Sequence, residues 1–211
     1  MKPIMLPVIL VLFLTSGSLT INGQSFEKGN KFINAGIKIS IYNIKNFSEN
    51  DDGDEDKAAS YTIPLGFEYA ITNRLGAGIE LGFCNYFTEE DSVTRAIAEA
   101  GSFDFLMKGN FHWVKNGRAN LSSGIGLGFS DFNYISNDNL DSEFKSTGFY
   151  FRLSLIDFKL FIGNKIGWNV FMGIPYMNFE NGRITDNLGS DFSYPLSFSG
   201  FDIGTGLVVK W

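Results

Sequence analysis

The stretch 201-FDIGTGLVVKW-211 decides the fold. In an extended strand side chains alternate between faces, so Phe201, Ile203, Thr205, Leu207, Val209 and Trp211 share one side. Asp202, Gly204, Gly206, Val208 and Lys210 share the other. One face is bulky and almost wholly apolar. The other is small or charged.

The same pattern recurs upstream. Ile33, Ala35, Ile37, Ile39 and Ile41 oppose Asn34, Gly36, Lys38 and Ser40; Tyr61, Ile63, Leu65, Phe67, Tyr69 and Ile71 oppose Thr62, Gly66 and Glu68. Leu75, Ala77, Ile79, Leu81 and Phe83 oppose glycines and Glu80, and Phe103, Phe105, Met107, Phe111 and Trp113 oppose Asp104, Lys108 and Asn110. Leu121, Ile125, Leu127 and Phe129 face away from Ser122 and three glycines. Phe149, Phe151, Leu153 and Leu155 oppose Tyr150, Arg152 and Ser154, and Ile166, Trp168, Val170, Met172 and Ile174 oppose Gly167, Asn169, Phe171 and Gly173. With the terminal stretch this predicts eight strands. In "LIDFKLF" a strict alternation would place Asp157 and Lys159 on the apolar face, which predicts a bulge near Ile156.

The connections alternate in length. Long ones at 43–59, 88–100, 135–147 and 178–194 alternate with short turns around 72–74, 115–118 and 163–165. A soluble lipocalin-type barrel would turn bulky residues inward, but here the small face is too poor in polar side chains to meet water. The broad apolar face would aggregate there. Lipid is the matching medium for that face. The expected fold is therefore all-β, an eight-stranded antiparallel up-and-down transmembrane β-barrel. Lys38, Glu68, Glu80, Asp104, Lys108, Arg152 and Asp202 then point into the lumen as an ionic network, since a charge left unpaired there costs several kcal/mol. Trp113, Trp168 and Trp211 beside the short turns, and Tyr42, Tyr61, Tyr86, Tyr134 and Tyr176 beside the long loops, are expected to form two interfacial girdles. Pro64 and Pro175 are expected near the long-loop ends, where strands bulge.

Composition agrees with many glycine-rich strands: 24 Gly and 22 Phe accompany only 5 Pro among 211 residues, enough for one domain. A net charge of −6, without a basic cluster, argues against nucleic acid as a partner. Residues 1–24, with Lys2 before an apolar run from Ile4 to Leu14, read as a signal peptide cleaved near Gly23 or Gln24; residues 25–211 are the barrel domain. The run is too short to span a bilayer as a helix. A single cysteine, Cys84, excludes an internal disulfide and reads as a small packed residue.

The ending "GLVVKW" and the repeated alternation resemble the small porin-like outer-membrane β-barrel family of Gram-negative bacteria, whose plan is that of the OmpA transmembrane domain and OmpX. The resemblance implies both termini in the periplasm, long loops outside the cell, and contact with outer-membrane lipid. It also implies that the barrel assembly machinery reads the C-terminal signal Ile203, Thr205, Leu207, Val209 and Trp211. Eight strands leave no open channel, so a porin-like shape does not itself imply conduction.

Three functions remain at this stage. The first is a non-enzymatic barrel with an envelope-structural or surface-interaction role, meeting an extracellular partner through its loops. The second is a narrow channel or carrier for small or apolar solutes. The third, a lipid A modifying enzyme, needs a serine, a histidine base and an acid together. The chain has only His112, which reads as a polar residue at the periplasmic rim. No catalytic set, cofactor site or metal site is legible. The acidic run Glu49 to Asp56 has cation-binding composition but not the spacing of an EF-hand, and reads as a solvated loop.

Overall fold

The structure is a computed structural model that describes residues 25–46, 56–87, 98–136, 143–180, 182–185, 191–193 and 195–211. The expected signal peptide and the acidic run up to Glu55 lie outside the described residues, as do the central parts of the long loops.

Every described element is a strand: β1 (Lys31–Asn46), β2 (Asp56–Ala70), β3 (Leu75–Phe87), β4 (Ala98–Asn116), β5 (Ala119–Ser136), β6 (Glu143–Ile162), β7 (Ile166–Phe179), β8 (Arg183–Thr185), β9 (Asp191–Ser193) and β10 (Leu196–Lys210). Eight long strands each pair antiparallel with the next, and β1 pairs with β10, so the sheet closes on itself. Lys31 and Trp211 exchange both backbone hydrogen bonds at that seam, at 3.0 and 3.1 Å. A closed ladder leaves no edge, which is the condition for a sheet to sit in hydrocarbon. The short β8 pairs with the top of β6, and β9 pairs with β8.

At one end the strands join by tight turns, with Gly117 and Gly163 at φ +52° and +75°, a backbone conformation that favours glycine. At the other end the strands run further than the alternation suggested. β1 continues to Asn46, β5 to Ser136 and β7 to Phe179, so several residues assigned to long loops belong to the barrel wall. Most outward side chains there are polar, as Asn43, Asp131 and Asn133 are, although Ile135 is not, and the inward ones are mainly aromatic, as Tyr42, Phe132 and Phe179 are.

The outer face carries the apolar side chains. Ile37 and Ile41 are each 60% exposed, and Ile33, Ile63, Phe83, Ile125, Phe149, Ile203 and Leu207 are exposed as well. The inner face is buried and polar. At the loop end outward residues turn polar just beyond Phe83 (Asn85), Phe129 (Asp131), Phe149 (Thr147) and Phe201 (Ser199), which marks the edge of the apolar belt.

Two bulges keep this arrangement in phase. Leu155 is an extra residue on β6: Ser154 pairs with Gly173 and Ile156 with Met172. That insertion returns Asp157 and Lys159 to the interior, 7% and 2% exposed, as expected from the sequence. A second bulge on β4, between His112 and Val114, turns both Trp113 and Val114 outward. The prolines behave differently from expectation. Pro64 and Pro175 lie within strands and face inward, and neither introduces a bulge. Each interrupts one ladder for two residue pairs, after which the same register resumes, because a missing N–H removes a bond without adding a residue.

Candidate functional site

The distinctive chemistry lies inside the barrel. Starting at the turn end, the segment before β1 folds under the barrel and places Phe26, fully buried, over His112 with ring centroids 3.4 Å apart. Phe26 also stacks on Phe32 at 5.4 Å, and Ala70, Phe161 and Val208 complete an apolar floor. Ser25 Oγ donates to the Ala119 carbonyl at 2.7 Å, and Gly29 N–H to the Ala70 carbonyl at 2.9 Å, which tie this segment to the wall.

Above the floor is a first ionic layer centred on Glu68. Its Oε1 lies 2.9 Å from His112 Nε2 and accepts from Asn110 Nδ2 at 2.9 Å; its Oε2 accepts from Lys159 Nζ at 3.3 Å. Lys159 also donates to Asp157 Oδ2 at 2.8 Å, and His112 Nδ1 lies 2.8 Å from Asn120 Oδ1. Glycine makes this possible: a methyl at Gly76 would collide with the Glu68 carboxylate. His112 is therefore not a rim residue. Even-numbered residues of β4 face inward as far as the bulge, and the rim is covered by Phe26, so the imidazole is completely buried.

A second ionic layer follows. Arg152 on β6 holds Asp202 on β10 through two parallel bonds, Nε to Oδ2 at 2.7 Å and Nη2 to Oδ1 at 2.6 Å. It also donates to Ser154 Oγ at 3.2 Å and lies over the Phe171 ring. Planar bidentate pairing of this kind is the strongest ion-pair geometry available to a side chain. Lys108 donates to Glu80 at 2.7 Å, with Lys38 4.0 Å from the same carboxylate. Asp104 accepts from Ser102 and Ser130 at 3.0 and 2.7 Å. The structure thus places all seven candidate lumen residues inside, joins to them Asp157 and Lys159, which the expected bulge returns to the interior, and adds His112, whose position beside a turn gave no sign of burial. Two water-sized cavities of about 10 Å³ each lie beside these layers.

The loop end is sealed by aromatic rings. Tyr42, Leu106, Phe132, Phe144, Tyr150, Met177, Phe179 and Phe198 form one buried cluster, with Tyr86 and Tyr134 packed against it. This corrects the expected girdle: Tyr42, Tyr86 and Tyr134 face the lumen. Each is even-numbered on a strand whose outward residues are odd, so alternation contained the signal and proximity to a long loop misled. Tyr61 and Tyr176 do face outward, 40% and 37% exposed, as do Trp113, Trp168 and Trp211 at the turn end. Ile203, Thr205, Leu207, Val209 and Trp211 lie on the outer face of β10. Cys84 is buried.

No protein-family model matches the sequence, and no curated protein sequence matches it either. Solved structures do. The outer membrane protein AlkL, determined in lipid bilayers, aligns with a TM-score of 0.53 at 13% identity over 92% of this chain and 96% of that one. The outer membrane protein OprG of Pseudomonas aeruginosa aligns with a TM-score of 0.51 at 13% identity, covering 88% and 97% of the two chains. A closed eight-stranded wall, apolar outside and ion-paired within, that aligns with these two proteins over most of its length has the fold of the small outer-membrane β-barrels.

Proposed function

We propose that this chain is exported by its first 24 residues and resides in the outer membrane as a non-enzymatic barrel with an envelope-structural or surface-interaction role. Both termini face the periplasm, and the long connections face the outside. The barrel assembly machinery recognises the outer face of β10, and outer-membrane lipid covers the belt. The observation that carries this reading is the filled lumen: among the described residues, ion pairs occupy the middle and aromatic rings the loop end, with water-sized gaps beside the ion pairs. A wall sealed in this way supports the loops rather than a flow of solute. The imidazole supports a non-enzymatic reading as well, being engaged by Glu68 and Asn120 and covered by Phe26.

Two measurements test it. Planar-bilayer recordings at high protein load should stay at baseline; steady conductance steps would remove the sealed-scaffold reading. Shortening the connections 47–55, 137–142 and 186–190 should abolish surface binding or an envelope phenotype while heat-modifiable folding persists, and an unchanged phenotype would count against a role for the loops.

A narrow carrier is favoured by one feature. The β3–β4 ladder ends at Asn85–Gly101, and there a cleft of about 480 Å³ opens beside inward Tyr86 and Ser102 and outward Phe103 and Ile135. Uptake of small apolar solutes into proteoliposomes that is lost on Gly101→Trp would favour this second reading.

A further inference from the structure

Among the described residues no ion pair joins the two ionic layers, yet the space between them is built for a ligand. The two cavities of about 10 Å³ lie one on each side of Asn34, Lys108 and Asp157, which border both. About that volume accommodates one water. Arg152, Ser154 and Asn169 border the upper one.

Two residues that border this upper cavity, only 7% and 1% exposed, each carry an acceptor with no hydrogen-bond partner within the protein, Asp157 Oδ1 and Asn169 Oδ1. They belong to adjoining strands. Asp157 pairs with Phe171 and Lys159 with Asn169, so Asp157 and Asn169 are diagonal neighbours on the inner face. Buried acceptors without a donor are costly, and native interiors satisfy nearly all of them. The nearby cations are engaged elsewhere: Lys159 with Asp157 Oδ2 and Glu68, Arg152 with Asp202 and Ser154, and Lys108 with Glu80.

Charge decides which ligand fits. A metal cation would stand beside the Arg152 and Lys108 charges, and an anion would stand beside the Asp157 and Glu80 carboxylates. A neutral molecule with two hydrogens to give and lone pairs to receive matches both sets. We propose that the upper cavity is a built site for one ordered water, which donates to Asp157 Oδ1 and Asn169 Oδ1 and accepts from the cationic side. That water joins the Glu68 layer to the Arg152 layer and makes the lumen a single hydrogen-bonded column.

Density for the full mature chain, at a resolution that shows ordered waters, tests the site directly. The expected result is a peak within roughly 2.6–3.2 Å of both acceptors. An empty cavity, a peak with the all-oxygen shell of a cation, or both acceptors bonded directly to Lys108 or Arg152 would overturn it. The coupling is tested by a double-mutant cycle on Lys159→Met and Asp202→Asn, read from unfolding equilibria. Non-additivity of about fivefold or more is expected in the native background and near-additivity with Asn169→Leu, since only coupled sites depart from additivity. Additivity in the native background, or coupling that survives Asn169→Leu, would overturn the bridging role. If Asn169→Leu does not fold, the density and the native-background cycle still decide.

Discussion

At the loop end the lumen is closed by side chains of the wall itself: Tyr42, Phe132, Phe144, Phe179 and Phe198 come from five different strands and pack ring against ring. At the turn end the closing ring is Phe26, carried by a segment that belongs to no strand and is tied down by a few turn-type hydrogen bonds. The first closure is part of the barrel's own folding, because each ring is carried on a strand of the wall. The second is a stopper on a short tether. Between them, ion pairs span strands that are not neighbours, as Arg152 and Asp202 do across β7. The two ends should therefore respond differently to the loss of one side chain.

The largest effect is expected in the middle, where neither closure helps. Arg152→Ala strands the Asp202 carboxylate in a fully buried site and should lower stability by about 3–5 kcal/mol in urea titrations of the refolded protein. The double variant Arg152→Met, Asp202→Leu should recover much of that loss; if it is no better than the single change, pairing is not what the site depends on. Phe198→Ala, at the loop end, should cost about 3 kcal/mol, the lower part of the range for such truncations, because the cluster lies near solvent-facing connections. It should leave His112 as protected as before.

Replacing an outward residue tests the belt. Leu127→Arg should cost about 2 kcal/mol in lipid vesicles, whereas Asn133→Arg on the same outer face, above the belt, should cost little. Equal costs at the two positions would contradict the assigned membrane boundary. Phe26→Ala should have the smallest effect on stability, below the usual range of about 3–5 kcal/mol for such truncations, since a tethered ring at a barrel mouth relaxes more easily than one in the core. Its signature is local. His112 is the sole histidine, so diethylpyrocarbonate reports on it alone. The native chain should resist modification, and Phe26→Ala should react at least about tenfold faster, corresponding to about 1.4 kcal/mol of lost protection. Equal rates would show that Phe26 is not the stopper.

Most of the wall was legible in the sequence because it obeys a local rule. An outward residue in lipid must be apolar regardless of its neighbours, so Ile33 to Ile41 or Leu75 to Phe83 announce their facing without tertiary information. The bulge beside Ile156 was legible for the same reason: two charges fell out of phase with a strand that otherwise kept it. The inner face obeys no such rule. Tyr42 and Tyr61 are both tyrosines near long loops, yet one fills the lumen and the other faces outward, and only strict counting from an established strand separates them.

What the sequence determined by itself was the alternation, the number of strands and which side meets lipid, all consequences of a two-residue repeat read along one chain. What only the tertiary structure decided was which inward groups meet. Glu68 reaches His112 and Lys159 from two other strands, and Phe26 folds back onto His112 from outside the barrel wall. Those contacts depend on the stagger with which the cylinder closes, and stagger is a property of all eight strands together rather than of any one of them.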